Sequence, residues 1–165
     1  MNKKKFLLLF VICVVILIVD QWTKNLVHGH FHWGESRPII KDFFSLTYVR
    51  NTGAAFGFLN KAPAAFREPF FIIVPLLAMA VILVIFLKLK DDQQLMAGSL
   101  SLVLAGAIGN LIDRLRFGFV IDFLDFHWKE VYHWPAFNVA DSCIVVGVCV
   151  LFVLSWGKPP ETIST

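Results

Sequence analysis

The stretch PAFNVADSCIVVGVCVLFVLSW, from Pro135 to Trp156, is apolar enough to cross a lipid bilayer, and it decides the class of fold. Asn138 and Asp141 stand three residues apart at the start of its predicted helix. This spacing permits a capping box, in which each residue satisfies free N–H groups of the first turn. A carboxylate at the mouth of a membrane helix is also a candidate for chemistry at the membrane surface. Both interpretations of Asp141 remain open on this stretch alone.

The composition of the chain is that of a membrane protein. Of its 165 residues, 58% are hydrophobic and 16% are charged, whereas soluble domains have about 45–50% apolar and about 25% charged residues. This length predicts one integral-membrane domain over residues 1–165. The net charge of +3, with no basic run beyond residues 3–5, gives nucleic-acid binding little support, and none is expected. The three cysteines lie in apolar runs without a CxxC motif, so neither a disulfide nor a zinc site is expected.

Four stretches are long and apolar enough to span a bilayer, at about residues 6–26, 69–87, 95–112 and 139–156. Lysines at positions 3–5, 88 and 90 predict that both termini are cytoplasmic, because Lys and Arg accumulate on that side. Six Lys or Arg residues between 23 and 68 point the other way, but they are spread over a long loop, where the rule weakens. The extracytoplasmic loops are then residues 27–68 and 113–138. No small-x-small cleavage site follows the first stretch, so we expect it to be an uncleaved span.

The first of these loops has predicted structure of its own. FFSLTYVRNTGAAFGFL (43–59) begins with β-prone residues and ends in small turn residues, which predicts a few short strands. APAAFREPFF (62–71) is typical of a short amphipathic helix at the membrane interface.

Polar residues gather at the predicted outer ends of the spans, where they suggest a functional site. They are Asp20, Lys24, Asn110, Asp113, Arg114, Asn138 and Asp141. Each group also has a structural interpretation. Asp20 and Lys24 have the i,i+4 spacing of an exposed ion pair, and Asp113 with Arg114 could form an interfacial pair or anchor. Asn110 could hydrogen-bond between helices, with Gly106 and Gly109 allowing close approach.

Two further carboxylates lie in the apolar stretch FGFVIDFLDFHW (117–128). A carboxylate in such surroundings has a raised pKa or finds a partner. If Asp122 or Asp125 faces Asp141, the two acids can share one proton, and one can act as base toward water while the other polarises a peptide carbonyl. The residues alone do not choose between Asp122 and Asp125.

Other catalytic schemes have less support in the sequence. It contains no HExxH, G-x-S-x-G or S-x-x-K motif. In HGHFH (28–32) a strand would align His28, His30 and His32 on one face, where they could bind a metal together with Glu35. The alternative, an ordinary surface loop, is favoured, and no metal or other cofactor is expected.

Five ordered motifs resemble those of the bacterial lipoprotein signal peptidases (signal peptidase II). DQWTK (20–24) resembles D-Q-x-x-K of that family, RNTGAAFGF (50–58) resembles N-x-G-A-A-F, and GNLIDR (109–114) resembles G-N-x-x-D-R. VIDFLDFHW (120–128) resembles V-x-D-F, and PAFNVADS (135–142) resembles F-N-x-A-D. Each motif alone is weak, but their order and spacing across nearly the whole chain make the resemblance specific.

The resemblance implies a polytopic α-helical membrane protein with four transmembrane helices, a small extracytoplasmic β-structure and a short surface helix. It implies an aspartic endopeptidase of the bacterial cytoplasmic (inner) membrane that cuts prolipoproteins just before a diacylglyceryl-modified cysteine. By motif position the catalytic pair is Asp122 and Asp141, and Asp125 matches no catalytic position. The positions that match site-shaping or substrate-holding residues are Asn51, Gly53, Asn110, Asp113, Arg114, Asn138 and Ala140, with Asp20 and Lys24 as a supporting pair. The expected contacts are lipid-modified precursors and membrane phospholipid, and the expected state is a monomer.

Two other functions are consistent with acidic residues in a membrane protein. A proton-coupled transporter would relay protons through membrane carboxylates, but it predicts polar sites near mid-bilayer and often paired repeats. A non-catalytic assembly subunit would use Asp122 and Asp141 only to pair with Arg114 or Lys24.

Overall fold

A computed structural model describes residues 3–53, 59, 62–129 and 131–156. Along the chain these residues form α1 (Lys3–His30), β1 (Ser36–Ile40), β2 (Phe44–Asn51), α2 (Ala64–Lys88), α3 (Gln94–Phe117), β3 (Val120–Trp128), β4 (Tyr132–His133) and α4 (Val139–Trp156). The predicted small-residue turn at 54–58 lies outside the described residues.

The four helices are each long and apolar enough to cross a membrane, as predicted. Three of them extend beyond the apolar stretches predicted from the sequence, since α1 continues to His30, α2 begins at Ala64 and α3 continues to Phe117. Helix α3 ends where Gly118 adopts the left-handed conformation (φ 77°) and donates its N–H to the carbonyl of Arg114. Glycine takes this conformation without steric cost, so it terminates the helix and turns the chain into β3.

Helix α3 is the centre of the bundle, because it packs against each of the other three helices and is the most buried of the four. Small residues make this packing close. A Cβ added to Gly147 of α4 would lie 2.7 Å from the carbonyl oxygen of Ser99, and a Cβ added to Gly106 would collide with the carbonyl of Ala140. Both the first turn and the middle of α4 are therefore held directly against α3.

The strands form one antiparallel sheet in the order β1-β2-β3-β4, which confirms the predicted β-structure. Ile121 and Phe123 of β3 pack with Val27 of α1 and Tyr48 of β2 in a buried apolar cluster. Side chains alternate between the two faces of a strand. Asp122, between Ile121 and Phe123, therefore points away from this cluster and toward the helices.

The sequence predicts a separate surface helix at residues 62–71, and the structure corrects this prediction. Residues 64–71 form the first turns of α2, which continues through Pro69 and Pro75 to Lys88. The residues before Pro69 include good helix formers, and each proline removes only one backbone N–H donor from the helix. The interfacial segment and the span therefore join in one helix.

At the opposite end of the bundle, Lys5 connects α1 to the end of α2. Its ammonium donates to the carbonyl oxygens of Phe86 (3.3 Å), Leu87 (3.1 Å) and Leu89 (2.8 Å). The last carbonyls of a helix have no intrahelical partner, so a buried lysine satisfies the C-terminus of α2 there.

Candidate active site

The first turn of α4 carries Asp141 at the third helical position, with Asn138 as its N-cap. The backbone N–H of Asp141 donates to Oδ1 of Asn138 (2.9 Å), and the backbone N–H of Asn138 donates to a carboxylate oxygen of Asp141 (3.2 Å). This reciprocal pair is the predicted capping box. One carboxylate oxygen of Asp141 is occupied by the cap, and the residue also lines the large cavity described below.

Asp122 lies on β3, and it is held by amides from two other elements. Its Oδ2 accepts a hydrogen bond from the Asn51 amide at the end of β2 (2.9 Å), and its Oδ1 accepts one from the Asn138 amide (2.7 Å). Asn138 therefore contacts both acids, one through its side-chain amide and one through its backbone. The structure thus brings together Asp122 and Asp141, which are 19 positions apart in the chain.

The environment of Asp122 raises the pKa of its carboxyl group. Burial disfavours the charged form, and the neighbouring Asp141 adds repulsion, so the pKa of Asp122 rises from 3.8 to about 7. Hydrogen bonds from Asn51 and Asn138 and the charge of Lys24 lower the pKa in the opposite direction, but they do not offset burial. At neutral pH this carboxyl is close to the midpoint of its titration, which suits proton transfer.

Beneath the two acids lies a buried ionic network that joins α1 to α3. Lys24 makes ion pairs of 3.0 Å with both Asp20 and Asp113, and all three side chains are almost fully buried. Asp20 also accepts the backbone N–H of Ala140 (3.0 Å), and Asp113 accepts that of Ile121 (3.0 Å). Asp20 and Lys24 are therefore not an exposed pair, since they anchor the segments that carry Asp141 and Asp122.

Gln21 belongs to this network, although the residue analysis did not single it out. Its amide donates to Asp113 (2.9 Å), Asp20 (3.2 Å) and the carbonyl of Gly109 (3.3 Å). The DQWTK motif (20–24) could have indicated Gln21 as a site residue, because Gln21 follows Asp20 directly in it.

Arg114 turns away from its neighbour Asp113 and faces the cavity. Its guanidinium donates to the carbonyl of Gly53 (3.2 Å) and lies 5.2 Å from the ring centre of Phe71. The predicted Asp113–Arg114 pair is absent, because Asp113 pairs with Lys24 instead. Arg114 therefore joins α3 to the end of β2 and to the start of α2.

Asp125 is excluded from this site by the geometry of β3. Its carboxylate accepts a hydrogen bond from Thr47 (2.9 Å) and lies 3.1 Å from Nδ1 of His133. Three residues along a strand point to the opposite face, so Asp125 lies on the side of the sheet away from Asp141. The alternative left open by the residues is resolved in favour of Asp122.

A cavity of about 1110 Å³ opens beside the two acids and runs between α2, α3 and α4. Its polar end contains Asn51, Asn110, Arg114, Asp122 and Asp141. Apart from Arg50 and Ser142, the remaining lining is apolar, and it extends along α2 as far as Ile82. The cavity thus joins a pair of carboxylates to a long hydrophobic groove.

The disfavoured alternative, in which His28, His30 and His32 align on one face of a strand, does not occur. Helix α1 continues through His30, so the first two histidines project in different directions. His28 hydrogen-bonds the hydroxyl of Tyr48 (2.5 Å), and His30 bonds the carbonyl of Leu26 (2.9 Å). Within the described residues, no group of three histidine, cysteine or acidic side chains could hold a metal ion.

Comparison with known proteins identifies the family. The family model described as signal peptidase (SPase) II matches residues 12–157. The chain belongs to the signal peptidase II family. Lipoprotein signal peptidase of Geobacter metallireducens is 53% identical over 149 residues, which cover 90% of each chain. That of Geobacter sulfurreducens is 56% identical over 137 residues, which cover 83% of this chain and 84% of the relative.

The fold agrees with the same assignment. A solved structure described as a bacterial membrane enzyme superposes with a TM-score of 0.82 at 31% identity, covering 95% of this chain and 92% of the other. The chain is thus a multi-pass membrane protease of an aspartic-type family. This finding supports the peptidase interpretation and not the transporter or assembly-subunit alternatives.

Proposed function

We propose that this signal peptidase II removes signal peptides from prolipoproteins and cuts the bond just before a diacylglyceryl-modified cysteine. Asp122 and Asp141 are the catalytic residues. The observation that carries this proposal is the position of the two carboxylates, which come from separate elements, share Asn138 as a partner and line one cavity. The names of the relatives suggest the substrate.

The reaction requires one ionised and one protonated carboxyl group. The ionised carboxylate removes a proton from water, whose oxygen forms a bond to the peptide carbonyl carbon. The protonated carboxyl group donates its proton to the carbonyl oxygen, which gives a neutral tetrahedral intermediate. When this intermediate collapses, the leaving nitrogen receives the proton that the first carboxyl group took from water, and the C–N bond breaks. One hydroxyl proton of the intermediate returns to the second carboxylate, which restores the starting pair. The raised pKa of Asp122 keeps a proton available to the pair near neutral pH.

The shape of the cavity suits a substrate that cannot leave the bilayer. A diacylglyceryl group is too apolar to enter water, so the enzyme must present its acids next to lipid. The apolar groove along α2, α3 and α4 can hold acyl chains or the signal helix while the scissile bond meets Asp122 and Asp141. The guanidinium of Arg114 faces the same cavity and can contact carbonyl oxygens of the substrate.

The remaining family positions have supporting roles in this proposal. Asn51 and Asn138 hold Asp122, while Asn110 holds Asp141. Gly53 accepts Arg114 through its carbonyl and donates its N–H to Asn51. Ala140 is fully buried, and a Cβ added to Gly109 would lie 3.3 Å from its Cβ, so α3 and α4 are in close contact at this position.

The proposed setting is the bacterial cytoplasmic membrane. Both termini are cytoplasmic, the sheet and the two acids face the extracytoplasmic side, and residues 1–165 act as one domain and as a monomer among phospholipids. The support is the lysine distribution in the sequence. A cysteine introduced at an exposed sheet position, Ser36, should react with a membrane-impermeant thiol reagent added to intact cells. Labelling only after the cells are opened would contradict this orientation.

The catalytic assignment is tested with purified protein and a lipid-modified precursor. Asp122→Asn and Asp141→Asn should each fold and insert but show no cleavage above background. Asp125→Asn is the matched control, since it makes the same chemical change on the same strand but on the other face of the sheet. Retained cleavage in either of the first two variants would overturn the assignment.

The substrate is tested by omitting the lipid. A precursor with an unmodified cysteine should be cut at least tenfold more slowly than its diacylglyceryl form at equal concentration. Equal cleavage of both forms would mean that the enzyme does not recognise the lipid.

A further inference from the structure

Three asparagine amides surround the two carboxylates, and each donates an N–H to one of them. The amides of Asn51 and Asn138 reach Asp122 at 2.9 and 2.7 Å, and that of Asn110 reaches Asp141 at 2.7 Å. An asparagine amide presents a donor on one side and an acceptor on the other. Turned by 180°, each would place an oxygen against a carboxylate and repel it. The site therefore needs something that fixes each amide.

Two of the three amides are fixed by backbone donors. The N–H of Gly53 donates to Oδ1 of Asn51 (3.0 Å), and the N–H of Asp141 donates to Oδ1 of Asn138 (2.9 Å). A backbone N–H can only donate. The side-chain oxygen must face it, and the NH₂ group of each asparagine must face the carboxylate.

Asn110 has no such local donor, because it lies inside α3 (Gln94–Phe117), where backbone N–H groups bond carbonyls one turn earlier. Its oxygen instead accepts the ammonium of Lys24 at 2.9 Å and, at a longer 3.2 Å, the amide of Asn138. That Asn138 amide also donates to Asp122 at 2.7 Å. Lys24 is therefore the stronger partner, since a charged donor makes the stronger hydrogen bond.

The ammonium of Lys24 is itself held in place. It has three N–H donors, and three acceptors surround it: Asp20 (3.0 Å), Asp113 (3.0 Å) and Asn110 (2.9 Å). The side chain is only 1% exposed, so water does not compete for these donors. Donors and acceptors match in number, which leaves Lys24 with one arrangement.

We propose that Lys24 is a positioning residue of the peptidase: its ammonium fixes the orientation of the Asn110 amide, so that an Asn110 N–H faces Asp141. Lys24 acts through Asn110 and does not line the cavity. The proposal rests on the proposed function of Asp141 and adds a specific task to the supporting pair. If Lys24 only stabilised the fold, the hydrogen bond from its ammonium to Asn110 would not affect the rate of cleavage.

The expected kinetic effect is on kcat. Loss of the donor allows Asn110 to turn and present its oxygen to Asp141, which disturbs the acid pair but not the groove that binds substrate. A hydrogen bond to a charged group corresponds to a rate change of about 10- to 100-fold. KM should change by less than about threefold.

The test compares Lys24→Gln with Lys24→Met, both in an Asp20→Asn background. The two side chains are similar in length and neutral, but only glutamine carries N–H donors. Asp20→Asn keeps the net charge of the buried network unchanged when Lys24 is lost, so that folding is preserved; the Asp20→Asn single variant is the reference. Thermal unfolding in detergent establishes that each protein is folded at the assay temperature. Cleavage of the lipid-modified precursor then gives kcat and KM.

We expect the glutamine variant to retain at least tenfold higher kcat than the methionine variant, with similar KM and similar unfolding temperature. Adding Asn110→Ala to both should remove the difference between them, because the donor acts through Asn110. Equal kcat for glutamine and methionine, or a difference that persists with Asn110→Ala, would overturn the proposal.

A second measurement covers the case in which the Lys24 variants do not fold. Asn110→Asp keeps an acceptor for Lys24 but has no N–H for Asp141, so its kcat should fall at least tenfold. Wild-type kcat in this variant would overturn the proposal. If the wild-type protein does not cut the precursor, the result contradicts the proposed function. A result that contradicts only the positioning role of Lys24 is thereby distinguished from it.

Discussion

Replacement of Asp122 by asparagine is expected to abolish cleavage and also to stabilise the folded protein at alkaline pH. The pKa of Asp122 rises from 3.8 to about 7, first because of burial and then because of repulsion by Asp141. The folded state therefore holds this proton more tightly than the unfolded chain does. Stability falls as the pH rises from about 4 to about 7 and stays low above that range.

The magnitude follows from the size of the shift. At about 1.4 kcal/mol per unit, the raised pKa lowers the free energy of unfolding by about 4 kcal/mol at pH 8 but only by about 1.5 kcal/mol at pH 5, where the folded protein keeps the group protonated. Asparagine removes this cost. It also loses one hydrogen bond, because both oxygens of Asp122 accept amide N–H groups, from Asn51 and Asn138. That loss is about 1–3 kcal/mol at any pH, so the variant should match wild type near pH 5 and exceed it by about 1–3 kcal/mol at pH 8.

The measurement is the free energy of unfolding in detergent for wild type and Asp122→Asn at both pH values. The difference between the proteins should grow by about 2.5 kcal/mol from pH 5 to pH 8. This pH-dependent part does not depend on the hydrogen bond that asparagine loses. A difference that is the same at both pH values would refute the raised pKa of Asp122 and the reasoning built on it.

Three further predictions concern the rate, the packing and the far end of the bundle. The value of kcat should fall about tenfold per pH unit above about pH 7, as the acid pair loses its shared proton; a flat profile to pH 9 would contradict this. Gly147→Ala should destabilise the protein by about 1–3 kcal/mol, because its Cβ would lie 2.7 Å from the Ser99 carbonyl. Gly29→Ala, with nothing within 4 Å of the added Cβ, is the matched control for thermal unfolding and should be neutral or stabilising. Lys5→Met should lower stability by about 1–3 kcal/mol, since it removes the ammonium donor from the carbonyls of Phe86 and Leu87 in α2 and of Leu89 just after it. Cleavage measured at a temperature where the variant is folded should stay at the wild-type rate.

The number of helices and the general position of the polar site could be predicted from the sequence, but helix ends could not. The hydropathy pattern predicts that the third span ends at Ile112, because the charged residues Asp113 and Arg114 follow it. The helix continues to Phe117, because Lys24 pairs with Asp113 and the guanidinium of Arg114 finds Gly53 and Phe71. Charged residues end an apolar stretch, but they do not end a helix when other elements satisfy them.

The choice between Asp122 and Asp125 shows a second limit of the residue pattern. Both carboxylates have apolar neighbours, so composition treats them alike. Only the packing of Ile121 and Phe123 against Val27 sets the face of β3 on which each acid lies. The sequence shows that side chains of β3 alternate between two faces, but it does not show which face packs against the helices. A shift of the strand by one residue would exchange the two faces.

The site reconciles two requirements that conflict in a lipid-adjacent cavity. Two carboxylates must be held close together, yet they must not both be ionised. A lysine or arginine bonded directly to each acid would satisfy the first requirement, but it would stabilise both charges. Neutral amides of Asn51, Asn110 and Asn138 hold the acids without supplying a countercharge. The ammonium of Lys24 lies one residue further away, where it pairs with Asp20 and Asp113. There it can orient the Asn110 amide while Asp122 retains a pKa of about 7.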